Sequence, residues 1–193
     1  MPAGASCNSN AQMTGPGSEP LRVAIAALLD AVISSLAGIY DVLNGASMMG
    51  LVDPDRPPLR IDIVGERPDP LNLASGVQAE VQAAVEDVGE CDIVIVPSVL
   101  LPAADWQKGR HSKLTDWSMR MHVQGARICS ACSGVFLLTE TGQFDGRDAT
   151  VHFGYAKAFA KPSGQRRRVI RSIAGRNGSI RSSASASALP PER

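Results

Sequence analysis

Apolar and polar positions alternate along this chain in blocks of two kinds. Leu21 to Leu29 is an apolar run broken only by Arg22, with the length of a buried strand. From Ser34 to Leu43 the period changes: Leu36, Ile39, Tyr40 and Leu43 fall on one side of a helix, and Gly45 is the expected stop. Asp53 to Pro58 carries three prolines and reads as loop. Leu59 to Val64 alternates, with Leu59, Ile61 and Ile63 set against Arg60 and Asp62, as in a strand with one more polar face. Val77, Val81, Val85 and Val88 recur at helical spacing and predict a short helix. Asp92 to Val96 is a β-branched run closed by Pro97, the pattern of a central parallel strand buried on both faces. Ser112 to Gln124 reads as a helix with Leu114, Trp117, Met121 and Met119 inward. Arg127 to Ala131 follows as a strand, and Ser133 to Thr141 as a helix ended by Gly142. A short strand at Ala149 to Val151 precedes a helix from Phe153 to Ala160. Strands alternate with helices, so the fold class is α/β, a mostly parallel sheet sandwiched by helices.

Composition adds the ends and the setting. The 193 residues, 44% apolar and 20% charged, suffice for one buried core. Residues 1–20 are rich in Ser, Gly, Asn and Pro, and disorder is expected there. The formal net charge of zero conceals a division. Residues 21–160 carry 17 acids and 11 bases, whereas 161–193 carry eight bases and one acid. The body is mildly acidic, which gives no reason to expect nucleic acid as a partner. The basic Ser/Arg-rich tail reads either as a solvated disordered end or as an arm whose Arg166 to Arg168 and Arg171 contact phosphates. No apolar run is long enough to span a bilayer, and residues 1–20 do not have the pattern of a secretory signal. Cys7, Cys91, Cys129 and Cys132 form no spaced framework, so free thiols and a cytoplasmic location are expected.

The candidate chemistry centres on Cys132. Ser130 and Ala131 precede it, and Ser133 and Gly134 follow. A sharp strand-to-helix turn needs such small neighbours, lifts one side chain above the sheet edge, and aims a helix N-terminus at the sulfur. The alternative is a cysteine packed at a strand end. Twenty residues on, His152 stands at the end of a short strand, where it is placed to take the thiol proton or to cap a helix. His111 and His122 are assigned surface roles. Cys129 and Cys132 form a C-x-x-C, but Cys129 falls within a strand and no second pair is present for zinc; neither a metal nor a cofactor is expected.

The block Ile128–Leu138, continued by Glu140–Arg147 and Ala149–Tyr155, resembles the ThiJ/PfpI superfamily. More narrowly it resembles the amidase-like N-terminal domain of AraC-type transcription regulators, and Val23–Ala26 and Gly38–Leu43 fit the same branch. The resemblance runs from about Leu21 to about Ala160. It implies a flavodoxin-like, class I glutamine-amidotransferase-like sandwich, with Cys132 as the elbow cysteine and His152 as its histidine. Three departures follow. Catalytic members place an acid after the first strand, where Ser34 and Ser35 stand; Asp30 falls too early. They follow the central strand with a Gly-Gly turn, where Pro97-Ser98-Val99 stands; the amides of Ser98, Val99 and Ser133, beside Gly134, are the remaining oxyanion or pocket donors. Loss of one such donor costs about a hundredfold or more in rate. Beyond Ala160 the tail lacks the family's closing elements and offers no place for a helix-turn-helix, which speaks against direct DNA binding and for an early stop or frameshift.

The expected function is therefore a ligand-sensing domain related to AraC-type regulators, binding an unidentified small molecule, with a homodimer as the family's habit. The alternatives are a cysteine-dependent hydrolase, amidase or glyoxalase-like enzyme using Cys132 and His152, or a nonfunctional fragment. Phe153, Tyr155 and Leu100 are candidate pocket walls.

Overall fold

The computed structural model describes residues 19–102, 105–142, 148–160, 168–171 and 186–189. Its strands are β1 (Leu21–Ala26), β2 (Leu59–Gly65), β3 (Leu71–Asn72), β4 (Gln78–Ala79), β5 (Ala83–Ala84), β6 (Ile93–Val96), β7 (Arg127–Ala131), β8 (Asp148–Val151), β9 (Arg168–Arg171) and β10 (Ala186–Leu189). Its helices are α1 (Ile33–Met48), α2 (Ser112–Val123), α3 (Val135–Thr139) and α4 (Ala156–Ala160).

The main sheet has the order β10-β7-β6-β1-β2-β5. Its neighbours are parallel except β10, which runs antiparallel along β7 with Ala186 opposite Ala131 and Leu189 opposite Ile128. Two small pairs lie apart, β3–β4 antiparallel and β8–β9 parallel. The mostly parallel α/β sheet expected from the sequence is the one observed.

β1 is the strand buried on both faces, since Val23 to Ala26 are all enclosed. In β6 the burial alternates: Val94 and Val96 are fully enclosed, while Ile93 and Ile95 are partly covered. On α2, Leu114, Trp117 and Met121 are wholly buried, and Val135 to Leu138 of α3 join them in the core. Each such side chain contributes about 1.5–3 kcal/mol through burial. On α1 only Leu36 is fully enclosed; Ile39, Tyr40 and Leu43 are partly covered, and Val42 lies outward.

Several expectations change. No helix forms over Val77–Val88; the segment holds β4, β5 and turns. The four-residue steps from Val77 to Val85 also keep one face of an extended chain, so over that stretch the period is ambiguous. Tertiary pairing decides it: Gln82 N and Val85 N donate to Ile63 O and Gly65 O at 2.8 and 2.9 Å, and Ile63 N donates to Gln82 Oε1 at 2.6 Å. α1 passes through Gly45 and ends before Gly50, whose φ is 67°. Gly142, with φ 74°, does stand at the turn after α3. His111 and His122 are not surface residues but 3% and 2% exposed. Burial satisfies them locally: His111 Nε2 lies 3.1 Å from Asp30 Oδ2, and His122 Nδ1 lies 3.4 Å from Ala126 O. Residues 1–18 lie outside the described residues, as does most of the tail. Two strands, β9 and β10, nevertheless fall in that tail, where no order is expected from composition. Ser/Ala repeats lack an apolar face, so a strand held through its backbone on β7 leaves no signature there.

Candidate functional site

The sheet order turns back on itself at β1, with β2 on one side and β6 on the other. The C-terminal ends of such strands leave a crevice between diverging loops. Three segments meet at this edge: the turn after β1, the turn after β6, and the start of the 3-10 turn Cys132–Gly134 after β7. Backbone bonds tie the first two together. Val32 N donates to Ser98 O at 2.8 Å, Leu100 N donates to Asp30 O at 2.8 Å, and Ala31 and Val99 form an antiparallel bridge.

Cys132 sits on the third segment. Its φ of 48° is the single positive value of a non-glycine residue among the described residues. An L-residue in this region stores about 1–2 kcal/mol of strain. The small neighbours read from the sequence have direct reasons. A Cβ on Gly134 would fall 2.5 Å from Val96 O and nearer still to Pro97 O, so only glycine passes the end of β6. Ser133 is wholly buried, and its hydroxyl is saturated. It donates to Val99 O at 2.6 Å and accepts from Val99 N at 3.0 Å. Because its one proton is committed, Ser98 Oγ must donate to it across 2.9 Å.

The structure places Ser98, Val99, Ser133 and Gly134 side by side, with the amides of Ser98 and Val99 bonded within the chain. Ser98 N donates to Ser35 Oγ at 2.9 Å, and Val99 N donates to Ser133 Oγ. Both amides are bound to hydroxyls of the chain, not presented to the crevice. Ser35, at the position where the resemblance implies an acid, holds the turn after β6 in place.

His152 is exposed at the end of β8, and β8 packs against the Cys132–Gly134 turn. Its Nδ1 accepts from Gly154 N at 3.2 Å, the bond of a residue capping the 3-10 turn Phe153–Tyr155. That bond leaves the proton of the neutral ring on Nε2. Cys129 is half-buried on β7; desolvation pushes its thiol pKa up, partly opposed by Arg127. Burial, reinforced by Asp92, pushes the Cys91 thiol up to about 12. A raised pKa makes Cys129 a poorer nucleophile, which speaks against a dithiol function of the Cys129–Cys132 pair.

Two carboxylates have roles that the sequence did not show. Asp30 accepts from Arg110 Nη1 at 2.8 Å and holds His111 with its other oxygen. Glu140, just after α3, accepts from Trp106 Nε1 at 2.6 Å and from Gly109 N at 2.9 Å. Together they strap residues 106–111 over the site edge. Beneath this strap lies a cavity of about 280 Å³ lined by Asp30, Leu100, Leu101, Trp106 and Arg110. Leu100 is one of its walls. Tyr155 packs edge-on to Phe136 at 6.2 Å, and the side chain of Phe153 lies outside the described residues. Nothing in single-residue spacing marks Asp30 or Glu140, because their partners are 80 and 34 residues away. No group of three or more metal-ligating side chains occurs among the described residues, and no helix there is long and apolar enough to cross a membrane.

Comparison with known proteins sets this geometry in context. The sequence model of the DJ-1/PfpI family matches residues 48–189, which carries the likeness through β9 and β10, past the limit expected near Ala160. Among solved structures, an AraC family transcriptional regulator from Pseudomonas putida superposes with a TM-score of 0.61 at 17% identity, over 78% of this chain and 76% of that one. Drosophila melanogaster DJ-1beta gives 0.60 at 16% identity, over 79% and 74%. A ThiJ/PfpI family protein from Pseudomonas syringae gives 0.53 at 17% identity, over 84% and 69%. No curated protein matches the chain.

Proposed function

The chain belongs to the DJ-1/PfpI family, and from that premise we propose that it is the small-molecule-binding domain of a transcription regulator of AraC type, not an efficient hydrolase. One observation carries this reading: the two amides after β6 are held by the hydroxyls of Ser35 and Ser133. An oxyanion needs preorganised donors that are open to it, and breaking an internal bond to supply one removes the advantage of preorganisation. Ser35 also supplies no charge to tune Cys132, and His152 Nδ1 is engaged in a turn. What remains is a partly buried thiol at the sheet edge and, under residues 106–111, a cavity of about 280 Å³ that a small metabolite would fit. Both regulators and DJ-1 proteins share the fold, so the fold alone does not choose between binding and catalysis.

A thermal-shift screen of small polar metabolites on the full chain tests the reading. A reproducible rise in Tm with one compound class is expected. Turnover of any screened ester, amide or 2-oxoaldehyde that is lost in Cys132→Ser would overturn it.

The strained φ of Cys132 favours a second reading, a cysteine-dependent hydrolase with Cys132 as the elbow nucleophile. Iodoacetamide labelling separates the two. An activated thiolate reacts near neutral pH much faster than free cysteine, and Cys132→Ser shows how much labelling belongs to this position. Labelling no faster than free cysteine is the outcome expected here.

A further inference from the structure

A second cavity, of about 370 Å³, opens at the C-terminal ends of β1 and β2. Among the described residues, Arg110 is the one lining residue it shares with the cavity under residues 106–111, and Cys132 does not line it. Its volume lies at the small end of the about 300–1,000 Å³ typical of ligand sites. Leu28, Leu29, Leu71 and Val81 supply apolar walls. The carboxylates of Glu66 and Asp69 are offset by the guanidinium groups of Arg67 and Arg110, so the charges of the lining cancel. The lining also includes His111, a polar side chain that is almost wholly enclosed.

Two neighbours fix the His111 ring. Nε2 lies 3.1 Å from Asp30 Oδ2, and Asp30 is itself held by Arg110 Nη1 at 2.8 Å. The Trp106 ring stands 6.0 Å away, centroid to centroid. Against a carboxylate Nε2 is the nitrogen that carries the proton, so the neutral ring presents Nδ1 as a lone-pair acceptor. Nδ1 has no hydrogen-bond partner among the described residues. It also differs from the polar atoms sealed there without a partner, which are Glu66 Oε1, Trp117 Nε1, Ser118 Oγ and Ser130 Oγ. Its small remaining surface therefore opens on the cavity that His111 lines. An acceptor so far withdrawn from water, and left without a donor, calls for an O–H or N–H group from a ligand. The balanced charge and the leucine and valine walls select a neutral donor with an apolar body.

We propose that this cavity binds a small neutral molecule through one hydroxyl, which donates to His111 Nδ1 while the apolar body lies against Leu28, Leu71 and Val81. The site is independent of the reading of Cys132 and of the cavity under residues 106–111. Titration of the full chain with para-cresol, followed by calorimetry and by the nitrogen resonances of isotope-labelled histidine, tests it. The chain has three histidines. His152→Gln removes the exposed one, and His111 and His122 differ in which ring nitrogen faces an acceptor, so the signals are assigned. Saturable one-to-one binding is expected, with the His111 Nδ1 signal moving from that of a free lone pair toward that of a hydrogen-bonded nitrogen. para-Xylene replaces the hydroxyl by a methyl group of similar size and is expected to bind about tenfold or more weaker. His111→Phe keeps a ring but removes the acceptor, and lowers the para-cresol affinity by a similar factor. If that variant fails to fold by circular dichroism, the Nδ1 signal of the parent chain decides the matter. Four results overturn the proposal: no saturable heat with para-cresol, equal or tighter binding of para-xylene, an Nδ1 signal unmoved at saturation, or undiminished affinity in a folded His111→Phe protein.

Discussion

At Cys132, backbone strain and side-chain chemistry meet in one residue, and substitutions separate them. Cys132→Ser keeps both size and χ1 freedom and is expected to change stability by less than about 0.5 kcal/mol. Cys132→Val puts a β-branched side chain at a φ of 48° and is expected to cost about 1–2 kcal/mol, read as a lower urea midpoint. Ser133 differs in kind, since it is a structural clasp beside a chemical group. Ser133→Ala removes three hydrogen bonds from a wholly buried position and is expected to cost about 1–3 kcal/mol by the same measurement. The small residues of this turn were legible in the sequence because sterics alone demands them. The tasks of Ser35 and Ser133 were not, because each depends on a partner 63 or 34 residues away. Asp30 was set aside as an acid for Cys132; its bonds go to Arg110 and His111.

At the scale of elements, the strands β1, β2, β6, β7 and β8 and the helix α2 read well from their patterns, and the valine segment did not. α2 follows its apolar stripe because Leu114, Trp117 and Met121 fix one face, whereas Val77, Val81 and Val85 fit two periods and their segment pairs with the edge of β2. The junction of β6, β7 and α3 is the element-level feature that positions the site, and Gly134 is its tightest point. Gly134→Ala is expected to force the ends of β6 and α3 apart, costing about 1–3 kcal/mol. Proteolysis would report it as faster cleavage between residues 96 and 135 in the variant than in the parent.

For the whole molecule, the thiols give a pH dependence with a definite sign. Cys91 and Cys129 both titrate higher in the folded chain than in the unfolded one. A raised folded pKa stabilises fully below the unfolded value of about 8.5 and is lost as pH rises toward the folded value, about 12 for Cys91. The urea midpoint should therefore fall between pH 8 and pH 11, and less steeply in Cys91→Ala. The antiparallel seat of β10 on β7 has a further consequence for synthesis. Ala186 pairs with Ala131, 55 residues earlier in the chain. At about 5–20 residues per second, the strand leading to Cys132 emerges about 3–11 s before the strand that closes its outer side. During that interval its unpaired N–H and C=O groups form a template for another nascent chain. The site-bearing strand therefore leaves the ribosome with an open edge, and slower translation of residues 132–186 is expected to lower the soluble fraction, measured by sedimentation of the expressed chain.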